Sequence, residues 1–224
     1  MTTPAPTLTP MFATPFASVP IVAPAALNAA LASLFLSRAT AANRDPSMPA
    51  DPLWFRSRED LFEWDGEAIA HLRRGILGGV SEVVLAANSY TDAEADALGV
   101  QARARFVIVR PNGAMPGTSA PMASWCAIYC VAAPPPAPAR VHSAVLRLYA
   151  IRHASMFLDS SNWNMRLPFN ADHYVWRPVP GEMAVFPASV VHEVALNRAE
   201  ADLVLITARL RFADPRTQAS MPPW

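Results

Sequence analysis

A histidine near the C-terminus is the first residue of this sequence with clear chemical potential. His192 follows a strand-like run at 182–187 and a short turn. Imidazole titrates near neutral pH, so His192 can act as a general acid or base, or it can bind a metal ion. It can equally be a core histidine whose ring is satisfied by hydrogen bonds. The sequence leaves these three interpretations open.

A metal site around His192 lacks partners in the sequence. A facial iron centre requires two imidazoles and one carboxylate on one side of the metal. The segment 110–124, which leads into the strand-rich half of the chain, contains no His, Asp, Glu or Cys. The remaining cluster that can be drawn joins His192 to His153 and Asp159. His153 comes just before a predicted long loop at 154–172, and Asp159 lies within that loop. His192 and His153 are therefore the residues we name for an atypical metal site.

Two strand-like segments alternate polar and apolar side chains. In the last one, Thr207 and Arg209 share a face, and the opposite face is wholly apolar. An earlier one places Arg147 and Tyr149 on one face. An arginine can bind a carboxylate through two hydrogen bonds. Each face can line a pocket or lie in solvent, and periodicity alone does not decide which.

The candidate site residues fall into two groups. We predict a catalytic role for His192, Arg209 and Tyr149. We predict substrate binding by Trp125, Tyr129, Arg147 and Thr207.

Composition limits the class of protein. The chain has 224 residues, of which 52% are hydrophobic, enough for one domain with a sizeable core. Its 18 basic residues, all arginine, balance 18 acidic ones. A neutral chain without a basic cluster is not expected to bind nucleic acid or a membrane surface. We expect a small-molecule substrate as the partner, and a homodimer stays open.

The cysteines and the N-terminus indicate the compartment. Cys126 and Cys130 lie four residues apart in a predicted strand, so their Cα atoms are ~13 Å apart, too far for a disulfide. No basic residue precedes Arg38, which argues against a secretory signal. We therefore predict a cytoplasmic protein.

Helical patterns occupy the first half of the chain and strand patterns the second. Apolar spacing predicts a helix over 25–41 and a second one that begins at Ser57 and stops or kinks at Gly78 and Gly79. A short helix is predicted at 92–98. The predicted organisation is a flexible N-terminus at 1–10, a single domain at 11–212 and a C-terminal tail at 213–224. Within the domain, a helical cover spans about 24–98 and a β core about 102–212.

Four motifs, in order, resemble a known family. They are Met-Phe-Ala-Thr-Pro at 11–15, Trp-Phe-Arg-Ser-Arg-Glu-Asp-Leu at 54–61, Ser-Trp-Cys-Ala-Ile-Tyr-Cys-Val at 124–131, and the run from Arg177 through Gly181 and Phe186-Pro187 to His192. Together they are similar to motifs of the 2-oxoglutarate/Fe(II) oxygenases. The resemblance implies a mainly β double-stranded β-helix, a jelly roll of the cupin-like kind, with N-terminal helices packed on it.

The sequence departs from that family at the metal site. The family's His-x-His or His-x-Asp aligns with Thr118-Ser119-Ala120, and its 2-oxoglutarate arginine aligns with 201–204, where Asp202 stands. The resemblance therefore makes His192 the equivalent of the distal iron ligand and carries over no other ligand. We expect no cofactor, and we do not expect 2-oxoglutarate as cosubstrate. Atypical iron or copper stays open.

Two functions are compatible with this pattern. The first is an enzyme, in a biosynthetic role, that transforms a small molecule on an oxygenase-like scaffold without the usual iron triad. It would use non-redox acid/base chemistry or an atypical metal site. The alternative is a non-catalytic pseudo-oxygenase that serves as a binding module or partner subunit.

Overall fold

Two long strands with alternating side chains form the centre of the fold. The computed structural model describes residues 13–22, 24–136, 138–150 and 173–213. Within them, the strands in chain order are β1 (Ala17–Pro20), β2 (Trp54–Arg56), β3 (Gly99–Val109), β4 (Met115–Thr118), β5 (Trp125–Ala132), β6 (Leu146–Tyr149), β7 (His173–Trp176), β8 (Glu182–Pro187), β9 (Val191–Val194) and β10 (Leu203–Ala213). The α-helices are α1 (Pro24–Arg38), α2 (Glu67–Ala87) and α3 (Asp92–Asp96), and short 3-10 helices lie at Ala41–Asn43, Leu61–Glu63 and Pro138–Arg140.

The strands form two antiparallel sheets. The major sheet has the order β1-β8-β5-β10-β3-β2, and the minor sheet has the order β4-β9-β6-β7. β10 pairs with β3 along its whole length, from Leu203 opposite Val109 to Ala213 opposite Gly99. The chain is therefore mainly β with helices added in its first half, which confirms the predicted jelly-roll architecture.

Each face of the major sheet contacts a different layer. Side chains on one face pack with α1 and α2 into a closed core that includes Phe35, Ile76, Phe106, Tyr129 and Ile206. Side chains on the other face meet the minor sheet in a second cluster that includes Val107, Ile128, Leu148, Phe186 and Leu205. The space between the sheets is where a ligand site can form, because the helix side is filled.

The second helix differs from the prediction at both ends. Ser57 does not begin it: Ser57 is fully buried, and its Oγ accepts a hydrogen bond from the Phe106 backbone N–H at 3.0 Å. α2 begins at Glu67 and continues through Gly78 and Gly79.

The glycine pair does not end the helix, and Gly79 lies where α2 passes very close to the sheet. A Cβ on Gly79 would lie 2.8 Å from Met183 Cε and 3.0 Å from Val19 Cγ1, so a larger residue would require these side chains to shift. A Cβ on Gly78 meets nothing within 4 Å.

Several predicted segments fall outside the described residues. These are the flexible N-terminus at 1–10, nearly all of the C-terminal tail and the loop that carries His153 and Asp159. No helix in the described part of the chain is long and apolar enough to cross a membrane.

Candidate functional site

Arginines on two paired strands define one end of the inter-sheet space. Arg105 on β3 shares its face with Val107, and Arg209 on β10 shares its face with Leu205. Thr207 lies directly opposite Arg105 in the strand register. Alternation therefore places both arginines inside the sandwich, where their charges require partners.

Two carboxylates from the region before α2 provide those partners. Glu59 bridges the arginines: its Oε1 pairs with Arg105 and its Oε2 with Arg209. Asp45 Oδ2 lies 2.6 Å from Arg105 Nη1 and 2.9 Å from Arg56 Nη2. We call these five residues the arginine cluster.

Hydrogen bonds hold Asp45 in its charged form. Its Oδ1 accepts from the Ser47 backbone N–H at 2.9 Å and from the Ser47 hydroxyl at 2.7 Å. Burial raises the pKa of Asp45, but these bonds and the charges of Arg56 and Arg105 outweigh burial, so the pKa lies below its ordinary value. Burial, together with the charge of Arg105, lowers the pKa of Arg56. Asp45 is thus a fixed anion that anchors the cluster.

His192 lies in the minor sheet, on the face toward the major sheet. It is 3% exposed, and its Cα is paired with Thr118 on β4. Its Nδ1 lies 3.1 Å from the Val190 carbonyl oxygen, which can only accept, so Nδ1 carries the proton and Nε2 carries the lone pair. The Phe186 ring packs edge-on against the imidazole at 5.1 Å.

Burial keeps His192 neutral. It lowers the pKa of the imidazole, and the hydrogen bond to Val190 opposes that shift only in part. A neutral imidazole with a lone pair on Nε2 can accept a proton from a bound molecule.

A cavity of about 380 Å³ joins His192 to the arginine cluster. Its apolar wall is formed by Met48, Trp54, Val107, Met115 and Cys126, and its rim by residues 116–121. Its polar lining comprises Arg56, Glu59, Arg105, Thr118, Ser119, His192, Thr207 and Arg209. The volume suits a small organic molecule.

Cys126 lines this cavity but is not a nucleophile at neutral pH. Burial raises the pKa of its thiol to about 12. Because the thiolate is the reactive form, Cys126 contributes an apolar surface.

Of the predicted site residues, the structure brings His192, Thr207 and Arg209 together around one cavity. Trp125 and Tyr129 lie elsewhere, which corrects the prediction that they line the pocket. Both project from the opposite face of β5 into the helix-side core. The Tyr129 hydroxyl donates to Asn28 Oδ1 on α1 at 2.6 Å, and burial raises the pKa of Tyr129 to about 12.

Arg147 and Tyr149 also lie away from the cavity. Their neighbours Leu146 and Leu148 face the inter-sheet core, so Arg147 and Tyr149 project from the outer face of the minor sheet. There both contact Glu193 Oε1, at 3.0 Å from Arg147 Nη1 and 2.8 Å from the Tyr149 hydroxyl. Their predicted place beside the pocket is wrong, because the minor sheet presents its other face to the cavity.

Sequence reasoning missed Arg56, Glu59 and Arg105 as cavity residues. The alternation of β3 could have indicated that Arg105 faces inward, because Arg105 has the same parity as Val107 and Val109. No sequence pattern indicated Glu59 as a cavity residue, because its motif resembles a helix start. Its partner Arg209 lies 150 positions away in the sequence.

Comparison with solved structures identifies the fold. A Pseudomonas putida prolyl-4-hydroxylase matches with a TM-score of 0.56 and 16% identity over 88% of this chain and 91% of that chain. HygX from Streptomyces hygroscopicus, with nickel and 2-oxoglutarate bound, matches with a TM-score of 0.57 and 13% identity over 89% and 83%. The epimerase SnoN, in complex with Fe3+, α-ketoglutarate and nogalamycin RO, matches with a TM-score of 0.53 and 12% identity over 93% and 85%. No family model and no curated protein matches the sequence.

The chain therefore has the fold of the 2-oxoglutarate/Fe(II)-dependent oxygenases, as its motifs indicate. One expectation is contradicted. From the sequence we expected no cofactor, with 2-oxoglutarate excluded as cosubstrate and only atypical iron or copper left open. HygX holds nickel and 2-oxoglutarate, and SnoN holds Fe3+ and α-ketoglutarate. Because these proteins share the fold and bind a metal and this cosubstrate, the comparison contradicts our expectation of no cofactor.

The described residues do not by themselves fit a three-ligand iron centre. Among them, no three His, Cys, Asp or Glu side chains group closely enough to hold a metal ion. Opposite His192, β4 offers the hydroxyl of Thr118, which donates to the Ser119 carbonyl at 3.2 Å. His153, the other residue named for an atypical site, lies outside the described residues.

Proposed function

We propose that this protein is a biosynthetic enzyme that transforms a small organic acid in the cavity between its two sheets. One observation carries the proposal: a cavity of about 380 Å³ has a cationic cluster at one end and a neutral, buried imidazole in its wall. SnoN, which shares the fold, is a non-haem α-ketoglutarate-dependent epimerase from nogalamycin biosynthesis, which supports a biosynthetic role. A small molecule fits the cavity better than a polymer does.

In this proposal the arginine cluster holds the acid group of the ligand. Arg105 and Arg209 present guanidinium groups on neighbouring strands, and Thr207 lies beside them. Guanidinium groups bind carboxylates through charge-assisted hydrogen bonds. Anchoring one end of the ligand in this way fixes where its other atoms lie relative to His192.

His192 then acts as the acid/base residue. Its proton on Nδ1 is committed to the Val190 carbonyl, so Nε2 is the atom that takes or returns a proton. The lowered pKa keeps the residue in its basic form at neutral pH.

The test is a turnover assay on mixtures of small organic acids. Purified protein is incubated with the mixture, with and without Fe(II) and 2-oxoglutarate, and products are detected by mass spectrometry. We expect one acid to be converted. We expect His192→Ala to lower its conversion by roughly 10²–10⁴-fold without loss of the fold, and Arg209→Gln to weaken its binding.

Two controls sharpen this assay. Tyr149→Phe and Arg147→Gln alter polar side chains of the minor sheet that face away from the cavity, and we expect conversion to be unchanged. Equal conversion by wild type and His192→Ala would contradict the acid/base role.

A second candidate is a binding protein without turnover. The observation that favours it is that the described residues hold no group of three metal ligands. It predicts that an organic acid binds through Arg105 and Arg209 but is recovered unchanged in both arms of the assay.

We also propose a cytoplasmic location. Cys126 and Cys130 are free thiols and both are buried, which is typical of a protein that folds in a reducing compartment. Fractionation of the source cells tests this.

A further inference from the structure

Cys126 lies between the two ends of the cavity. In the strand register of the major sheet it is paired with Arg209 on β10 and, on its other side, with Phe186 on β8. Cross-strand partners project to the same side and neighbouring strands lie about 5 Å apart, so Arg209 and Phe186 are separated by about 10 Å with Cys126 between them. The Phe186 ring in turn contacts the imidazole of His192. A ligand that extends from Arg209 to His192 therefore passes over Cys126.

A second cysteine on the same strand has a different environment. Cys130 is fully buried and lies opposite Leu205 in the packed cluster between the sheets, whereas Cys126 forms part of the cavity wall. Cysteine behaves as a small hydrophobic residue, so the volume above Cys126 is left open. A longer side chain would extend into that open volume at Cys126, but into packed neighbours at Cys130.

We propose that Cys126 is a specificity-determining residue whose small side chain sets how much bulk a ligand can carry between its acid group and the atom presented to His192. The tolerance for branched acids then falls as the side chain at this position grows. Shape is the basis of this role, because burial raises the pKa of the Cys126 thiol to about 12 and keeps it unreactive. The role rests on the proposed function, since it requires an acid bound at the arginine end of the cavity.

The experiment compares the binding of butyrate and isovalerate by titration calorimetry. The two acids have the same charge and the same main chain, and isovalerate carries an additional methyl branch, so the ratio of their affinities reports bulk alone. We expect Cys126→Met to lower the affinity for isovalerate relative to butyrate by roughly tenfold, because the thioether occupies space that the branch needs. Cys126→Ala should shift the ratio in the opposite direction, because it enlarges the cavity at the same point.

Cys130→Met is the matched control. It adds the same atoms to the same face of β5, but within packed surroundings. We expect it to lower the melting temperature and to leave the affinity ratio equal to that of the wild type, whereas Cys126→Met should not lower the melting temperature. If Cys130→Met does not fold, Cys130→Ala serves as the control for Cys126→Ala. A shift in ratio at Cys130 as large as that at Cys126 would overturn the assignment.

Two further results distinguish the role of Cys126 from the proposed function. Equal ratios in the wild type, Cys126→Met and Cys126→Ala, with butyrate bound by all of them, would overturn the role of Cys126 and leave the acid site in place. Failure of the folded wild type to bind either acid would overturn the acid site, and with it both the proposed function and the role of Cys126.

Discussion

On β3, Phe106 and Ile108 project toward the helices, while Arg105 and Val107 project into the space between the sheets. The same strand thus serves two environments. Phe106 is fully buried and stacks on Phe35 with ring centroids 4.6 Å apart. Arg105, one residue earlier, is tied to Asp45 and Glu59 beside the cavity.

The contrast separates stability from ligand binding. The helix-facing side is packed with aromatic and aliphatic groups, so changes there should alter the free energy of unfolding and leave the cavity intact. The cavity-facing side keeps charged groups next to empty volume, so changes there should alter binding first. The predictions below test that separation, with butyrate as the binding probe.

The largest effect is expected for Phe106→Ala. Phe106 contacts three aromatic rings, those of Phe35, Phe55 and Trp64, so its removal opens a large cavity in the helix-side core. We expect the free energy of unfolding to fall by about 3–5 kcal/mol, measured by urea denaturation. Butyrate affinity of the folded fraction should be unchanged. A loss of binding without a loss of stability would break the comparison between the two faces.

Gly79→Ala should destabilise by about 1–3 kcal/mol, because its Cβ would lie 2.8 Å from Met183 Cε. Gly78→Ala is the matched control in the same helix. Its Cβ meets nothing within 4 Å, so we expect stabilisation by about 0.5–1 kcal/mol from the better helix former. Thermal unfolding of both variants measures the difference. The close approach of α2 to the sheet would be contradicted if the two variants changed stability in the same direction.

Tyr129→Phe tests whether a residue first predicted for the pocket belongs to the helix side. The Tyr129 hydroxyl donates a hydrogen bond to Asn28 Oδ1, and Asn28 is only 9% exposed. The variant therefore leaves a nearly buried acceptor without its donor. We expect a loss of about 1–2 kcal/mol in stability and no change in butyrate binding. A weaker affinity for butyrate would return Tyr129 to the list of ligand contacts.

The smallest effect concerns the pH dependence of stability at His192. Its pKa is lowered in the folded protein, so below about pH 6.5 the unfolded chain binds a proton that the folded chain does not. Stability should therefore fall as the pH drops through this range, by at most about 1.4 kcal/mol per pH unit. Below the folded pKa the loss should level off.

Replacing His192 with glutamine removes this titration. Urea denaturation from about pH 7.5 down to about pH 5.5, around the ordinary histidine pKa, should then show a shallower slope in His192→Gln than in the wild type. An identical slope in both proteins would show that the burial of His192 does not alter its protonation.

Much of the fold could be predicted from the sequence alone. Alternation in the last strand placed Thr207 and Arg209 opposite a wholly apolar face, and the structure has that arrangement. The resemblance of the run from Gly181 to His192 to the family motif implied an inward-facing imidazole, and the structure has His192 buried beside the cavity. A short helix is predicted at 92–98, and the structure has α3 there, where Thr91 and Glu94 form a capping box. The alternation and the short helix are local features, so neighbouring residues specify them.

The remaining features depended on tertiary structure. β5 is buried on both faces, so its residues are apolar on both, and parity could not show that Tyr129 faces the helices. For Arg147, the side on which the major sheet lies decides whether it faces the cavity, and no local pattern encodes that. The bridge from Glu59 to Arg105 and Arg209 joins residues 46 and 150 positions apart. Only folding brings those charges together, because Coulomb attraction between solvated side chains is weak until burial lowers the dielectric around them.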